Sequence, residues 1–199
     1  YNHKFWRDFR KNVKEANPEA IILAEHYGDP GSWLAGDQWD TVMNYDAFME
    51  PLTWFLTGME KHSDEYNGIL FGDGVSFFRS MNYHMARMKT PSLLTAMNQL
   101  SNHDHSRFLT RTNQTVGRLA TAGAKKAEEG IHYGVFREAV MIQMTWPGAP
   151  TIYYGDEAGM CGFTDPDNRR TFPCGREDQE LITLSLIHIS EPTRHLRIS

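Results

Sequence analysis

The chain has 199 residues, of which 40% are hydrophobic and 12% aromatic, and this is enough apolar material for one sizeable core. Its net charge of −5, with no basic stripe along the sequence, argues against nucleic acid as a main partner. No run of about 18 apolar residues occurs, so no membrane-spanning helix is predicted. Two cysteines, Cys161 and Cys174, form neither a disulfide framework nor a metal motif.

Helices and strands alternate along the predicted elements. The first is an amphipathic helix over residues 5–16, in which Phe5, Phe9 and Val13 recur every four residues. Short apolar segments then predict four buried strands, at residues 20–24, 41–43, 93–100 and 151–154. Between them we predict an interrupted helical region over 51–89, a polar loop with a weak helix over 107–130, and a helix over 136–145. An irregular polar loop is predicted over 162–176.

This alternation predicts an α/β fold with a parallel sheet. An open four-stranded sheet would leave exposed edges, so half of a closed barrel accounts for the pattern better than a complete small domain does. The sequence opens inside a helix that lacks a cap, and we therefore expect it to be truncated at its N-terminal side.

The C-terminal segment has a different predicted origin from the rest of the chain. Residues 184–194 resemble the translation of a common sequencing adapter. We therefore expect residues 184–199 to be a non-native, adapter-derived tail and residues 1–183 to be the folded unit.

Two predicted strands deliver polar side chains to their carboxyl ends, where parallel sheets keep their active sites. Glu25 and His26 follow the first strand, and Asn102, His103 and Asp104 follow the third. In a partly apolar surrounding, the glutamate suits a general acid, although pairing with Arg or Lys is an equally good reading.

Asp104 could stabilise positive charge, accept a sugar hydroxyl or cap the next helix. A metal site at 103–105 is disfavoured, because adjacent residues of an extended chain point to opposite sides. A nucleophilic Ser-His-Asp triad is not supported, because the sequence contains no Gly-x-Ser-x-Gly turn. A third acidic strand end, Asp156 and Glu157, is predicted to be structural. Four aromatic residues suit either sugar stacking or the core: Trp33, Trp39, Tyr45 and Trp54.

Four motifs together resemble the alpha-amylase family, glycoside hydrolase family 13, in its cyclomaltodextrinase, neopullulanase and maltogenic amylase group. They are AEHY at 24–27, GDQWDTVMNY at 36–45, SNHDHSR at 101–107 and PGAPTIYYGDE at 147–157. The resemblance covers residues 1–182. It implies the C-terminal half, about strands five to eight, of a (β/α)8 TIM barrel. One departure is Cys174, where the resemblance leads us to expect tryptophan.

The resemblance also implies residue roles. Glu25 falls on the general acid/base, and Asp104 on the third carboxylate, which holds the substrate and stabilises the transition state. Three residues are expected on the substrate-binding side. His103 binds the sugar at the scissile bond, His26 faces the leaving group, and Arg107 supports the Asp104 loop. The family's nucleophile, an aspartate at the end of strand four, is expected just upstream of Tyr1.

The implied activity is retaining hydrolysis of α-1,4, and in some members α-1,6, bonds in maltooligosaccharides or cyclodextrins. The fragment alone is expected to be inactive. Two alternatives stay open: a non-catalytic barrel that binds carbohydrate or protein, and a glucan transglycosylase. No cofactor is expected for the chemistry, structural calcium is left open, and the longer parent is allowed to be a homodimer. An α-glucan oligosaccharide is the expected partner, without nucleic acid or membrane.

Overall fold

The computed structural model describes residues 2–190, with side chains described as far as residue 184. Four short strands lie side by side in chain order: β1 (Leu23–Ala24), β2 (Thr41–Val42), β3 (Met97–Gln99) and β4 (Ala149–Thr151). β1 pairs with β2 and β3 with β4, both in parallel. A parallel bridge between Met43 and Met97 joins the two pairs into one row. The predicted α/β class with parallel strands is confirmed, and the carboxyl ends of all four strands meet along one edge.

The described helices lie between and around these strands: α1 (His3–Ala16), α2 (Glu50–Thr57), α3 (Gly74–Met85), α4 (Thr90–Leu94), α5 (Phe108–Arg111), α6 (Leu119–Ala122), α7 (Tyr133–Thr145) and α8 (Gln179–Ser190). The predicted helices over 5–16 and 136–145 correspond to α1 and α7, and each begins slightly earlier than expected. The Asn2 side chain caps α1 by accepting a hydrogen bond from the backbone N–H of Phe5. A π-helical turn, Tyr45–Met49, leads from β2 into α2.

All four predicted strands differ from expectation. In the segment 20–24 only Leu23–Ala24 is extended, and this strand is not buried, since Leu23 is exposed. In the segment 41–43 only Thr41–Val42 is extended. In the segment 93–100, residues up to Leu94 belong to α4, because Pro91 in its first turn favours a helical start. Only Met97–Gln99 is extended there. In the segment 151–154, pairing ends at Thr151. The carbonyl of Tyr153 already accepts a turn hydrogen bond from the N–H of Asp156, so the end of the predicted strand is a turn.

Two apolar clusters hold the strand row in place. The larger gathers Met43, which follows β2, and buried residues of the π-helical turn and of helices α2, α3, α5 and α7, with Phe48, Leu52 and Phe163 fully enclosed. The smaller packs Ile22, Trp39 and their neighbours beneath α1 and β1. Together they fix the strand ends from which the polar side chains emerge.

Within the residues described, no helix is both long and apolar enough to cross a bilayer. The expected adapter-derived tail begins inside α8, and residues 191–199 lie outside the described residues. The assignment of 184–199 as non-native stays a prediction.

Candidate active site

Glu25, His103 and Asp104 come together at the carboxyl ends of β1 and β3. Nε2 of His103 lies 3.3 Å from Oε1 of Glu25 and 3.6 Å from Oδ1 of Asp104. One oxygen of each carboxylate and the imidazole nitrogen all lie within 4.8 Å of one another. About two fifths of each side chain is open to solvent (41%, 39% and 43% for Glu25, His103 and Asp104). The cluster is therefore accessible to a substrate.

Asn102 shapes the loop that carries His103 and Asp104. Its Oδ1 accepts hydrogen bonds from the backbone N–H groups of Asp104 and His105, both at 2.9 Å. Asn168 braces the same loop, since its Nδ2 donates to the carbonyls of Asn102 and His105. This local turn, typical of asparagine, directs the two functional side chains toward Glu25.

Glu25 is held by a buried tyrosine from the neighbouring strand end. Tyr45 is 1% exposed, and its hydroxyl donates to Oε1 of Glu25 at 3.1 Å. Asn102 in turn donates from Nδ2 to the Tyr45 hydroxyl oxygen, also at 3.1 Å. Burial raises the pKa of Tyr45 well above its ordinary value, so this hydroxyl keeps its proton. From the sequence, Tyr45 was a candidate for stacking or the core. The feature of the sequence that could have identified Tyr45 as a site residue is its position just after β2, the strand that neighbours the one before Glu25.

Tyr27 and His105 form a second layer against Tyr45. The rings of Tyr27 and Tyr45 stack with centroids 4.3 Å apart and planes 5° from parallel. The Tyr27 hydroxyl lies 2.9 Å from Nε2 of the fully buried His105. Burial, reinforced by the nearby charge of Arg111, lowers the pKa of His105 to about 2, so its imidazole is neutral. No local pattern in the sequence predicts this contact, because the two residues are 78 positions apart along the chain.

Arg107 lies behind the site and is completely buried. Its guanidinium donates to the carbonyl of Tyr154 and to Oδ1 of Asp156 at 2.9 Å, and to the carbonyl of Asn168 at 3.0 Å. These bonds tie the loop after β3 to the loop after β4. The guanidinium is enclosed by protein groups and has no open face toward a substrate. The expected support of the Asp104 loop by Arg107 stays a prediction. Asp156 has the structural role predicted for it.

The ring of His26 packs into an aromatic cluster. Its ring lies 4.9 Å from that of Trp33 and 5.4 Å from that of Trp39. Trp39 is buried, as is Tyr45, so both are core residues and not open sugar platforms. The group of ligand atoms within 4.8 Å of one another consists of Glu25, His103 and Asp104 and does not include His26. The role of His26 on the leaving-group side stays a prediction.

Two groups of described residues have the donors to hold a metal ion. One is the cluster of Glu25, His103 and Asp104, and the other consists of Glu60, His62 and Asp64. Each group includes an imidazole, whereas Ca²⁺ prefers six to eight oxygen ligands. Neither group fits calcium, and no step of the chemistry below uses a metal.

Comparisons with known proteins agree with this geometry. The family model for the alpha-amylase catalytic domain matches residues 1–188. Neopullulanase 2 of Thermoactinomyces vulgaris is 40% identical over 171 residues, which are 85% of this chain and 24% of that protein. A cyclomaltodextrinase of Thermoanaerobacter pseudethanolicus is 35% identical over 178 residues, which are 89% of this chain and 26% of that protein.

Solved structures show the same similarity. A debranching enzyme from Nostoc punctiforme superimposes with a TM-score of 0.72 at 32% identity, covering 90% of this chain and 34% of that one. A cyclomaltodextrinase superimposes with a TM-score of 0.68 at 31% identity, covering 94% of this chain and 28% of that one. The chain thus spans about a third or less of the length of these relatives.

Proposed function

Because the chain belongs to the alpha-amylase family of glycoside hydrolases, we propose that it supplies the acid/base and the transition-state carboxylate of a retaining α-glucan hydrolase. The observation that carries the proposal is the meeting of Glu25, His103 and Asp104 at neighbouring strand ends. Glu25 is the proposed acid/base, Asp104 the transition-state carboxylate, and His103 a ligand of the sugar at the scissile bond.

The family fold is a (β/α)8 barrel, and we propose that the four strands are its fifth to eighth. Two features support this assignment. The strands are parallel and neighbours in chain order, as successive barrel strands are. The candidate residues also follow the carboxyl ends of the strands, where barrel enzymes place their catalytic groups.

In the proposed mechanism, Glu25 protonates the glycosidic oxygen while a nucleophilic aspartate attacks the anomeric carbon. Glu25 then removes a proton from the water that hydrolyses the glycosyl-enzyme intermediate. Asp104 and His103 make contacts that strengthen as positive charge develops on the distorted sugar ring. The proposed nucleophile is the aspartate that the resemblance places at the end of strand four.

The proposed substrates are α-1,4-linked maltooligosaccharides and cyclodextrins, with α-1,6 bonds as a second class. Relatives named neopullulanase, cyclomaltodextrinase and amylopullulanase support this range. We also propose that the 199-residue chain alone does not hydrolyse these bonds, because a retaining mechanism needs both reacting carboxylates.

The deciding experiment is Glu25→Gln in the full-length protein that contains this sequence. We expect the rate of maltotriose hydrolysis to fall by about 10²- to 10⁴-fold, since general acid–base catalysis is lost. Glu19→Gln is the matched control, because Glu19 is an exposed glutamate outside the site. Undiminished hydrolysis by Glu25→Gln would refute the assignment. Product analysis with excess maltose as acceptor distinguishes hydrolysis from glucan transfer.

A further inference from the structure

The two oxygens of the Glu25 carboxyl group have different surroundings. Oε1 accepts the hydrogen bond from the Tyr45 hydroxyl at 3.1 Å and lies 3.3 Å from Nε2 of His103. In the described part of the chain, no hydrogen bond to Oε2 is found. The carboxyl group is therefore anchored through one oxygen.

The direction of the Tyr45 bond follows from its partners. A phenol has a single proton to donate. Nδ2 of Asn102 can only donate, so the Tyr45 oxygen is the acceptor in that contact. The phenol proton is then free for Oε1 of Glu25. Two other acceptors lie near the Tyr45 hydroxyl. The Met43 sulfur at 3.6 Å is a weak acceptor. The Tyr27 hydroxyl also interacts with Tyr45, but as a neutral acceptor it is weaker than the carboxylate of Glu25.

The Tyr45 ring has little freedom to change this arrangement. It is buried and stacked on Tyr27, and it begins the π-helical turn of residues 45–49. Such turns frequently occur at functional sites. The hydroxyl of Tyr27 lies 2.9 Å from Nε2 of His105, and within the described residues only Tyr45 of the two stacked phenols donates a hydrogen bond to Glu25.

We propose that Tyr45 is a positioning residue that fixes Oε1 of Glu25, so that Oε2 is the oxygen that carries the catalytic proton. The inference rests on the proposed function. In the first step, the proton on Oε2 passes to the glycosidic oxygen as the C1–O bond breaks. The bonding electron pair stays with that oxygen, and C1 bonds to the nucleophilic carboxylate. Glu25 remains as a carboxylate, ready to accept a proton from water.

Loss of the Tyr45 hydroxyl would free the carboxyl group to rotate and misplace the proton. The effect should fall on substrates whose leaving group must be protonated. Maltotriose has such a leaving group, whereas fluoride departs from α-maltosyl fluoride with little help from an acid. A purely structural role for Tyr45 would impair both substrates alike.

The test measures kcat/KM for both substrates in the full-length protein, with Tyr45→Phe and Tyr27→Phe as variants. Each variant removes one phenol hydroxyl from the same stacked pair. For Tyr45→Phe we expect kcat/KM for maltotriose to fall about 10- to 100-fold, less than on full loss of acid catalysis. For the same variant, we expect kcat/KM for α-maltosyl fluoride to stay within about threefold of wild type. For Tyr27→Phe, we expect the ratio of kcat/KM for maltotriose to kcat/KM for α-maltosyl fluoride to stay within about threefold of wild type.

Equal losses on both substrates in Tyr45→Phe, or no loss at all, would overturn the inference. An inactive wild-type protein would instead contradict the proposed function. A second measurement covers the case in which Tyr45→Phe does not fold. In a crystal structure of the wild-type protein with a thio-linked maltooligosaccharide, we expect the linking sulfur to face Oε2 of Glu25. A sulfur facing Oε1 would contradict the inference.

Discussion

At the scale of single residues, two buried titratable groups behind the site have pKa values shifted in opposite senses. Burial lowers the pKa of His105 from 6.5 to about 2. Burial also raises the pKa of Asp156 from 3.8 to about 6, against the pull of the Arg107 charge. Because folding changes the proton affinity of each group, each makes the free energy of unfolding depend on pH.

The two groups make the free energy of unfolding change with pH in opposite directions. His105 has a depressed pKa, so its contribution to stability is present above pH 6.5 and is lost as the pH falls. Asp156 has a raised pKa, so its contribution is present below pH 3.8 and is lost as the pH rises to about 6. Between these limits, each slope is about 1.4 kcal/mol per pH unit. The two therefore nearly cancel in the wild-type protein from about pH 4 to 6.

Single substitutions should expose these slopes. On acidification from about pH 6 to 4, we expect His105→Gln to become more stable relative to wild type by about 3 kcal/mol. We expect Asp156→Asn to become less stable relative to wild type by a similar amount, because an amide at this position cannot take up the proton that Asp156 binds in the folded protein. Urea unfolding of the full-length protein at several pH values, followed by tryptophan fluorescence, measures both. Profiles parallel to wild type would contradict the two pKa shifts.

At the scale of secondary-structure elements, the C-terminal end of α2 depends on a glycine. Gly58 adopts φ +68°, a left-handed conformation that ends the helix. A Cβ atom at this position would lie 2.6 Å from Cε2 of Tyr66 and 3.1 Å from Cβ of Phe71. Gly72 has a similar φ of +74°, but a Cβ atom there would meet nothing within 4 Å. Comparing an alanine at Gly58 with an alanine at Gly72 therefore separates the cost of backbone strain from the cost of steric overlap.

We expect Gly72→Ala to lower the free energy of unfolding by about 1 kcal/mol, the cost of a left-handed conformation for a residue with a Cβ atom. Gly58→Ala should cost a further 1–3 kcal/mol, by the approximate range for overpacking, because Tyr66 must move. Chemical denaturation of both variants gives the difference. Equal destabilisation would show that Tyr66 yields without cost.

Local sequence patterns predicted the parts of this structure that depend on local interactions. Glu25, His103 and Asp104 were identified because each follows a short apolar segment, and their meeting was expected from the parallel strands. The contact of Tyr45 with Glu25 and that of Tyr27 with His105 depend on tertiary packing across 20 and 78 residues. The π-helical turn was also missed, because its bond from Met49 N–H to the Asn44 carbonyl has no composition signal.

At the scale of the whole molecule, the four-stranded row leaves apolar side chains in solvent on α1 and beside β1. Phe5 is 54% exposed, Phe9 is 40% exposed and Ile21 is 71% exposed. Phe5 and Phe9 also stack on each other, with centroids 6.1 Å apart. Contiguous exposed apolar surface of this kind marks an interface or causes aggregation. Under the half-barrel proposal, the remaining strands and helices of the barrel cover it.

This gives a prediction that compares the 199-residue chain with the full-length protein. In the isolated chain, we expect Phe5 and Phe9 to react readily with hydroxyl radicals, and the chain to bind a hydrophobic dye and self-associate. In the full-length protein, we expect labelling of Phe5 and Phe9 to fall by about tenfold, because burial excludes solvent from core side chains. Phe78 on α3 is the matched control, since it is also 54% exposed, and its labelling should be similar in both forms.

The comparison is informative because Phe5 and Phe78 have the same chemistry and the same exposure but lie on different helices. Protection of Phe5 without protection of Phe78 locates the missing contact at α1, where a preceding strand and helix of a barrel would pack. Equal labelling of Phe5 in both forms would mean that α1 faces solvent in the whole protein. The assignment of these strands as the fifth to eighth of the barrel would then be wrong.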